Sequence, residues 1–361
     1  MSNRRQRSRR RTKILGTSNE LFFKLLAILI AIILVLILAL VINNVKAKKE
    51  AKVEAKKSDE EVQKLYEDMN DHIASTDDYK TNTVIRMTAV GNVLYNKNLE
   101  RSTTDFSSVF ENIKNDFKDS DFSIGTYSAN ISEDKDRNLA KSIKETGVSY
   151  MSIANNKQPK IKDISKLESS LKEAEIETTG KYSNEAENRV KIIEKRNIKI
   201  AVIAYSEEAN SNEANEENKS NVYSEEQATN DLAYATENAS IVIVMMNWKK
   251  TPSTNVTNNE KNIANFLVQN GANAVIGTNE AGTQQMEMIE NKDGKKCLVA
   301  YSLGNFIPEA VVKTKSNSQT ILDIQFFVDV YNNVSVYKVE YTNADLEYTK
   351  DTGYKIISQT E

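Results

Sequence analysis

Polar and apolar positions fall into three regimes along the chain. From Leu25 to Ile42 the stretch LLAILIAIILVLILALVI carries no polar side chain. At helical rise this run covers about 27 Å, close to the roughly 30 Å of a bilayer core. Leu21 to Phe23 add a turn, so a single transmembrane anchor is predicted at residues 21–43. Over residues 44–82, KAKKEAKVEAKKSDEEVQKLYEDMND lacks Gly and Pro and spaces Glu and Lys three and four apart. That pattern is a solvated helical stalk, followed by the breaking segment STDDYKTNT. From Thr83 onward short β-branched runs alternate with amphipathic stretches.

In this third regime TVIRMTAV, DFSIG, VSYMSIA, KIAVIAY, SIVIVMM, NAVIG and CLVAYSL read as buried strands. FSSVFENIKNDF, ISKLESSLKEAE and NNEKNIANFLVQNG read as helices, the last stopped by Gly271. TILDIQFFVDV and VSVYKVEYT around a YNN turn form a hairpin. The sum is an α/β domain over 83–345 with antiparallel strands near its end and a tail at 346–361. Between Ser206 and Asn230 a Glu- and Asn-rich insertion shows no core-forming pattern and is expected to be a surface loop.

Charge refines this picture. The basic tail at residues 1–20 precedes the apolar run and places the N-terminus in the cytoplasm and the domain outside it, although lysines from Lys46 to Lys57 on the far side weaken the asymmetry. A cleaved signal peptide is the competing reading. It is disfavoured by the length of the run and by the lack of a small-residue cleavage site before KAKKEAK. With net charge −3 and no basic stripe outside the membrane-flanking segments, nucleic acid is excluded as a partner. The single cysteine, Cys297, rules out an internal disulfide and reads as a buried structural thiol.

In open α/β sheets ligands gather at the carboxyl ends of strands. The residues there are Gly91-Asn92, Thr126-Tyr127-Ser128, Asn155-Asn156-Lys157, Asn247-Trp248-Lys249, Gly277-Thr278-Asn279-Glu280-Ala281 and Gly304-Asn305-Phe306. Their order, with TAVGNVLYNKNLE, SDFSIGTYSANIS, LVQNGANAVIGTNEAGTQQME and above all Ser302-Leu303-Gly304-Asn305-Phe306, resembles the CapA family of poly-γ-glutamate capsule synthesis proteins, whose domain is similar to the calcineurin-like metallophosphoesterases. The resemblance covers roughly Thr83 to Val330. It implies a four-layer α/β/β/α sandwich tethered outside the membrane and associated with capsule or cell-envelope polymer synthesis or export.

The chemistry of that family is not carried over. Where the resemblance implies a metal-binding Gly-Asp, this chain has Gly91-Asn92, and the Asn-Leu-Glu block is Thr126-Tyr127-Ser128. The imidazole of Asn-Asn-His is replaced by Lys157. Every histidine of the last two blocks is gone, and the chain's sole histidine, His72, lies in the stalk. A two-metal hydrolytic centre needs converging acids and imidazoles. No metal or other cofactor is therefore expected, and no catalytic residue.

The expectation is a non-catalytic binding or assembly module, with Asn92, Thr126, Ser128, Asn155, Asn156, Lys157, Asn247, Trp248, Thr278, Asn279 and Asn305 as the degenerate site or ligand-binding positions. The competing reading is a metal-dependent hydrolase of phosphoester or amide bonds with an atypical site. A Ser-Lys dyad of Ser128 or Ser302 with Lys157 can also be drawn. Lys157, Lys249 and Lys250 suggest a positive lip for an anionic cell-surface polymer, against a plain solvated loop. A membrane-embedded polymer synthase or exporter is the other expected partner. Trp248 either stacks on a ligand or closes a core.

Overall fold

The computed structural model describes residues 82–94, 97–102, 106–128, 133–154, 164–208, 219–249, 255–278, 282–308 and 318–359, all within the second of two units, Lys64–Glu361. The predicted tail, anchor and stalk lie outside the described residues. Among the described residues no helix is long and apolar enough to cross a membrane.

In chain order the strands are β1 (Thr83–Leu94), β2 (Phe122–Ser128), β3 (Tyr150–Ser152), β4 (Glu177–Thr179), β5 (Lys191–Lys195), β6 (Ile198–Ser206), β7 (Ile241–Asn247), β8 (Ala274–Thr278), β9 (Met286–Glu290), β10 (Lys296–Ala300), β11 (Ser318–Val328), β12 (Val334–Thr349) and β13 (Gly353–Gln359). They build a seven-stranded sheet, β13-β12-β11-β1-β2-β3-β4, and a six-stranded sheet, β5-β6-β7-β8-β10-β9. The helices are α1 (Lys97–Ser102), α2 (Ser107–Phe110), continued by a 3₁₀ segment at Glu111–Phe117, then α3 (Glu133–Thr146), α4 (Ile164–Glu173), α5 (Ala186–Arg189), α6 (Glu225–Asn238) and α7 (Asn258–Gln269).

Parity along the strands sets the layers. Val90, Val93, Tyr127 and Met151 of the first sheet join one apolar cluster with Phe110, Phe117, Leu139, Ile143, Leu167 and Leu171 of the α2–α4 side. Ala201, Ile203, Tyr205, Val242, Val244 and Met246 of the second sheet join another with Leu232, Ala235, Ile263 and Leu267 of α6 and α7. The alternate residues Ile200, Val202, Ala204, Ile243 and Met245 are also buried, so they must face the first sheet. Two contacts show that they do. Thr179 Oγ1 donates to the carbonyl of Val202 across the gap at 3.4 Å, and a Cβ on Gly180 would stand 3.1 Å from Ala204 Cβ. The layers are thus helix, sheet, sheet, helix, with central strands buried on both faces and accordingly apolar throughout.

Two expectations are corrected. Residues 346–359 are not a tail: Leu346 pairs with Ile356 across β12 and β13, both are fully buried, and Tyr348 stacks on Tyr354 with centroids 4.8 Å apart. Intervening charged residues mask an alternation of period two. The expected loop at 206–230 is also shorter than its polarity suggests. Asn221 is fully buried, taking the Gly180 carbonyl through its N–H at 2.8 Å and the Ala204 carbonyl through Nδ2 at 3.0 Å. Ser224 then caps α6, its hydroxyl accepting from Gln227 N.

Candidate functional site

β1, β2, β3 and β4 run parallel, as do β6, β7 and β8, and their carboxyl ends meet at one edge of the sandwich. Register places Asn92 beside Thr126, Thr126 beside Ser152 and Ser152 beside Thr179 in the first sheet. In the second it places Ser206 beside Asn247 and Asn247 beside Thr278. Paired residues on parallel strands point the same way, and Thr179 and Thr126 both reach across the gap, so this is one transverse row facing inward from both sheets. Each member is between 0 and 7% exposed, and all are neutral amides or hydroxyls.

The two halves of the row are bonded to each other. Asn247 Nδ2 donates to Thr278 Oγ1 at 3.2 Å, and that hydroxyl donates to the Met246 carbonyl at 3.4 Å. A hydroxyl has a single proton to give, so Thr126, 3.4 Å away in the other sheet, is the donor in the Thr126–Thr278 contact. Ser206 Oγ is taken up by the Glu208 carbonyl at 2.7 Å, and Ser152 Oγ accepts from Ala154 N at 3.2 Å. Asn92 is the exception: neither Oδ1 nor Nδ2 has a partner among the described residues, and the same holds for Ser128 Oγ.

The backbone around Asn92 is clamped. A Cβ on Gly91 would fall 2.0 Å from the Gly304 carbonyl oxygen, which explains the glycine. Asn92 N donates to that carbonyl at 3.1 Å, and Ile307 N returns a bond to Asn92 O at 3.0 Å. Ser302 acts in the same turn, donating to the Gly282 carbonyl at 3.0 Å and accepting from Gly304 N at 3.1 Å. Asn305 is buried beside it, and Gln319, in the amide orientation that satisfies its neighbours, donates to the carbonyls of Asn305 and Phe306.

Other predicted positions separate from the row. Trp248 is fully buried in the core beneath α6 and α7, its Nε1 donating to the Tyr301 carbonyl at 2.8 Å; it closes that core and offers no stacking face. Lys249 is more than half exposed and pairs with Glu208 at 2.5 Å, while its N–H bonds Glu207 at 2.7 Å. The hydrogen bond and charge of Glu208 push its pKa up. This lysine adds little free positive charge to any lip. Cys297 is buried and its thiol is pushed up to about 11 by desolvation, as a structural thiol should be. Asn155, Asn156, Lys157, Lys250 and Asn279 lie outside the described residues, and so does the Lys157 half of the drawn dyad.

Sequence reasoning missed Ser152, Thr179 and Ser206. The signal was available: each ends its strand, and each sits beside a predicted site residue or its pair. It also missed the buried ion pair behind the second sheet. Arg189, 5% exposed, meets the fully buried Asp231 with Nε–Oδ1 at 2.9 Å and Nη2–Oδ1 at 2.5 Å, and Tyr205 donates to Oδ2 at 2.7 Å. Burial and the neighbouring Asp231 hold the Tyr205 hydroxyl well above its usual range.

Among the described residues no group of three or more His, Cys, Asp or Glu side chains converges to hold a metal ion. The row does not fit one either, because neutral oxygens cannot balance a divalent charge in a dry interior.

Fold and edge together define a two-sheet α/β sandwich with its parallel strand ends gathered at one edge. The family model for the bacterial capsule synthesis protein PGA_cap matches residues 86–310, well over half of the chain, and the chain belongs to that family. No curated protein gives a significant match. Among solved structures, TT1561 of Thermus thermophilus is 10% identical, covering 72% of this chain and 99% of that chain with a TM-score of 0.40. The central domain of yeast acetyl-CoA carboxylase is 7% identical, covering 76% of this chain and 42% of that chain with a TM-score of 0.14.

Proposed function

We propose that this member of the capsule synthesis family is a membrane-anchored, extracytoplasmic binding or assembly module for a cell-envelope polymer, with no metal-dependent catalysis. The observation that carries the reading is the transverse row of neutral, buried amides and hydroxyls across both sheets. A hydrolytic centre would need charge there, to hold cations and to lower the pKa of a bound water. What the row supplies instead is hydrogen bonding that locks the two sheets together. The apolar run at Leu25–Ile42 supports the anchor, and the Arg-rich segment before it supports the orientation.

The test uses full-length protein purified without chelator. Elemental analysis should find no stoichiometric Zn, Mn or Fe. Generic phosphoesters and amides should not turn over with or without added Mn²⁺, and thermal shifts should respond to anionic polymers such as poly-γ-glutamate more than to metals. Stoichiometric metal, or Mn-stimulated turnover, would establish the hydrolase reading in its place.

A further inference from the structure

Beside the row, a segment that belongs to neither sheet stitches the two together. Lys219 to Tyr223 run between the exit of β4 and the exit of β6, bridging antiparallel to the first at Lys181–Ser220 and parallel to the second at Ser206–Val222. Main-chain bonds hold this strap on both sides, each at 2.8 Å. Tyr182 N donates to the Lys219 carbonyl and Asn221 N to the Gly180 carbonyl, while Ser206 N donates to the Asn221 carbonyl and Tyr223 N to the Ser206 carbonyl. Ser206 is itself a member of the row, and Gly180 directly follows another, Thr179.

The strap is carried mainly by hydrogen bonds. The fully buried Asn221 adds a bond from Nδ2 to the Ala204 carbonyl at 3.0 Å. Gln227 Nε2 donates to Asn221 Oδ1 at 2.6 Å and to the Val222 carbonyl at 3.2 Å. The Tyr223 ring packs edge-on against Tyr205 with centroids 5.9 Å apart, but its buried hydroxyl finds no hydrogen-bond partner among the described residues. Bonds of this kind exchange for those of another amide-bearing chain with little net change, which is how extended peptides add to exposed strand edges. Space for such a chain lies alongside: a cavity of about 380 Å³ is lined by Thr178 to Ser183 of the β4 exit and by Arg189 and Lys191.

We infer that residues 219–223 occupy, in cis, a chain-binding groove between the exits of β4 and β6, and that an extended amide-linked chain binds there by displacing them. The groove specifies this chemistry. The carbonyls of Gly180, Ala204 and Ser206 call for N–H donors, and the N–H groups of Tyr182 and Ser206 call for acceptors. A repeating amide supplies both, whereas a chain of carboxylates or phosphates alone supplies only acceptors. The inference deepens the binding reading proposed above and rests on it, because the strap is what a ligand must move to reach the Ser206 end of the buried row.

The experiment locks the strap in the full chain. Lys181 and Ser220 are flanked by the bonds that join their strands, which makes them a non-hydrogen-bonded antiparallel pair with Cα atoms about 4.5 Å apart, within disulfide reach. Cys297 is buried and away from this edge. Binding of poly-γ-glutamate, and of polyacrylate as an anionic chain without amides, is measured for Lys181→Cys with Ser220→Cys in oxidised and reduced form. Oxidation should weaken poly-γ-glutamate binding at least tenfold, and dithiothreitol should restore it. Asn221→Ala, which loosens the strap, should tighten binding, and in the parent chain the Asn221 and Tyr223 amides should exchange hydrogen faster when poly-γ-glutamate is bound. Equal affinity of the locked and reduced forms, or unchanged exchange in the complex, overturns the inference and leaves the binding reading standing. Polyacrylate binding with the same dependence on oxidation overturns the amide-linked occupant. A parent chain that does not bind poly-γ-glutamate at all overturns the binding reading, and the groove with it.

Discussion

Two polar clusters are buried on opposite faces of the second sheet. On the helix side, Arg189 and Asp231 form an ion pair inside the protein, with the Tyr205 hydroxyl donating to the carboxylate and Arg189 Nη1 also donating to the Ser183 carbonyl at 2.5 Å. On the sheet side, the row from Asn92 to Thr278 carries no charge at all. The difference teaches where this fold can tolerate an ion. A buried charge persists where an opposite charge is built in beside it, and the strand-end row offers no such partner.

The largest effect that would sharpen this contrast comes from halving the ion pair. Asp231→Ala should destabilise the domain by about 3–5 kcal/mol in denaturant unfolding, because it strands a buried guanidinium. Replacing both partners together, Arg189→Met with Asp231→Leu, should cost much less. Equal losses in the two variants would mean that the pair matters for its attraction and not for mutual desolvation.

A smaller effect is expected from putting charge into the row. In Asn92→Asp the new carboxyl would stay protonated in the folded state well above its unfolded pKa of about 3.9, since burial without a partner disfavours the anion. The unfolded chain would then bind fewer protons than the folded one above pH 4, and stability would fall as pH rises. We expect near-parental stability at pH 4 and a loss of about 3 kcal/mol at pH 7. Parental stability at pH 7, or rescue by Mn²⁺, would break the comparison by showing that the edge does accommodate a cation. The mildest change, Thr278→Val, removes the hydroxyl that joins Asn247 to Thr126 and should cost about 1 kcal/mol. That loss should add to the Asp231→Ala loss if the two clusters are independent.

Much of this was legible before any coordinates. The β-branched runs became β1, β2, β6, β7, β8 and β10, and the Gly91-Asn92 and Ser302–Phe306 blocks proved to be hydrogen-bonded partners. What escaped were elements whose burial is set from outside. β4 and β5 are short and polar because they are edge strands, and α6 starts inside a polar stretch because its buried apolar residues are only Ala228, Leu232 and Ala235, with the buried Asp231 among them. Asp231 carries no sequence signal of its burial. Its partner Arg189 lies on a different element, so no local pattern could have announced the pair. Of the two readings of Trp248, strand parity selects the closed core and turns the ring away from the row.

The order of strands in the first sheet has a consequence for biosynthesis. β1 is the first strand of the domain to be made, yet it lies between β2 and β11, with Thr83 paired to Val328 and Asn92 clamped by Gly304 and Ile307. Half of its hydrogen-bonding edge therefore waits for nearly the last segment to emerge. A chain interrupted before Ser318 would leave that edge open to any extended peptide, so completion of synthesis, and not the appearance of the first strands, closes the sheet against misassembly.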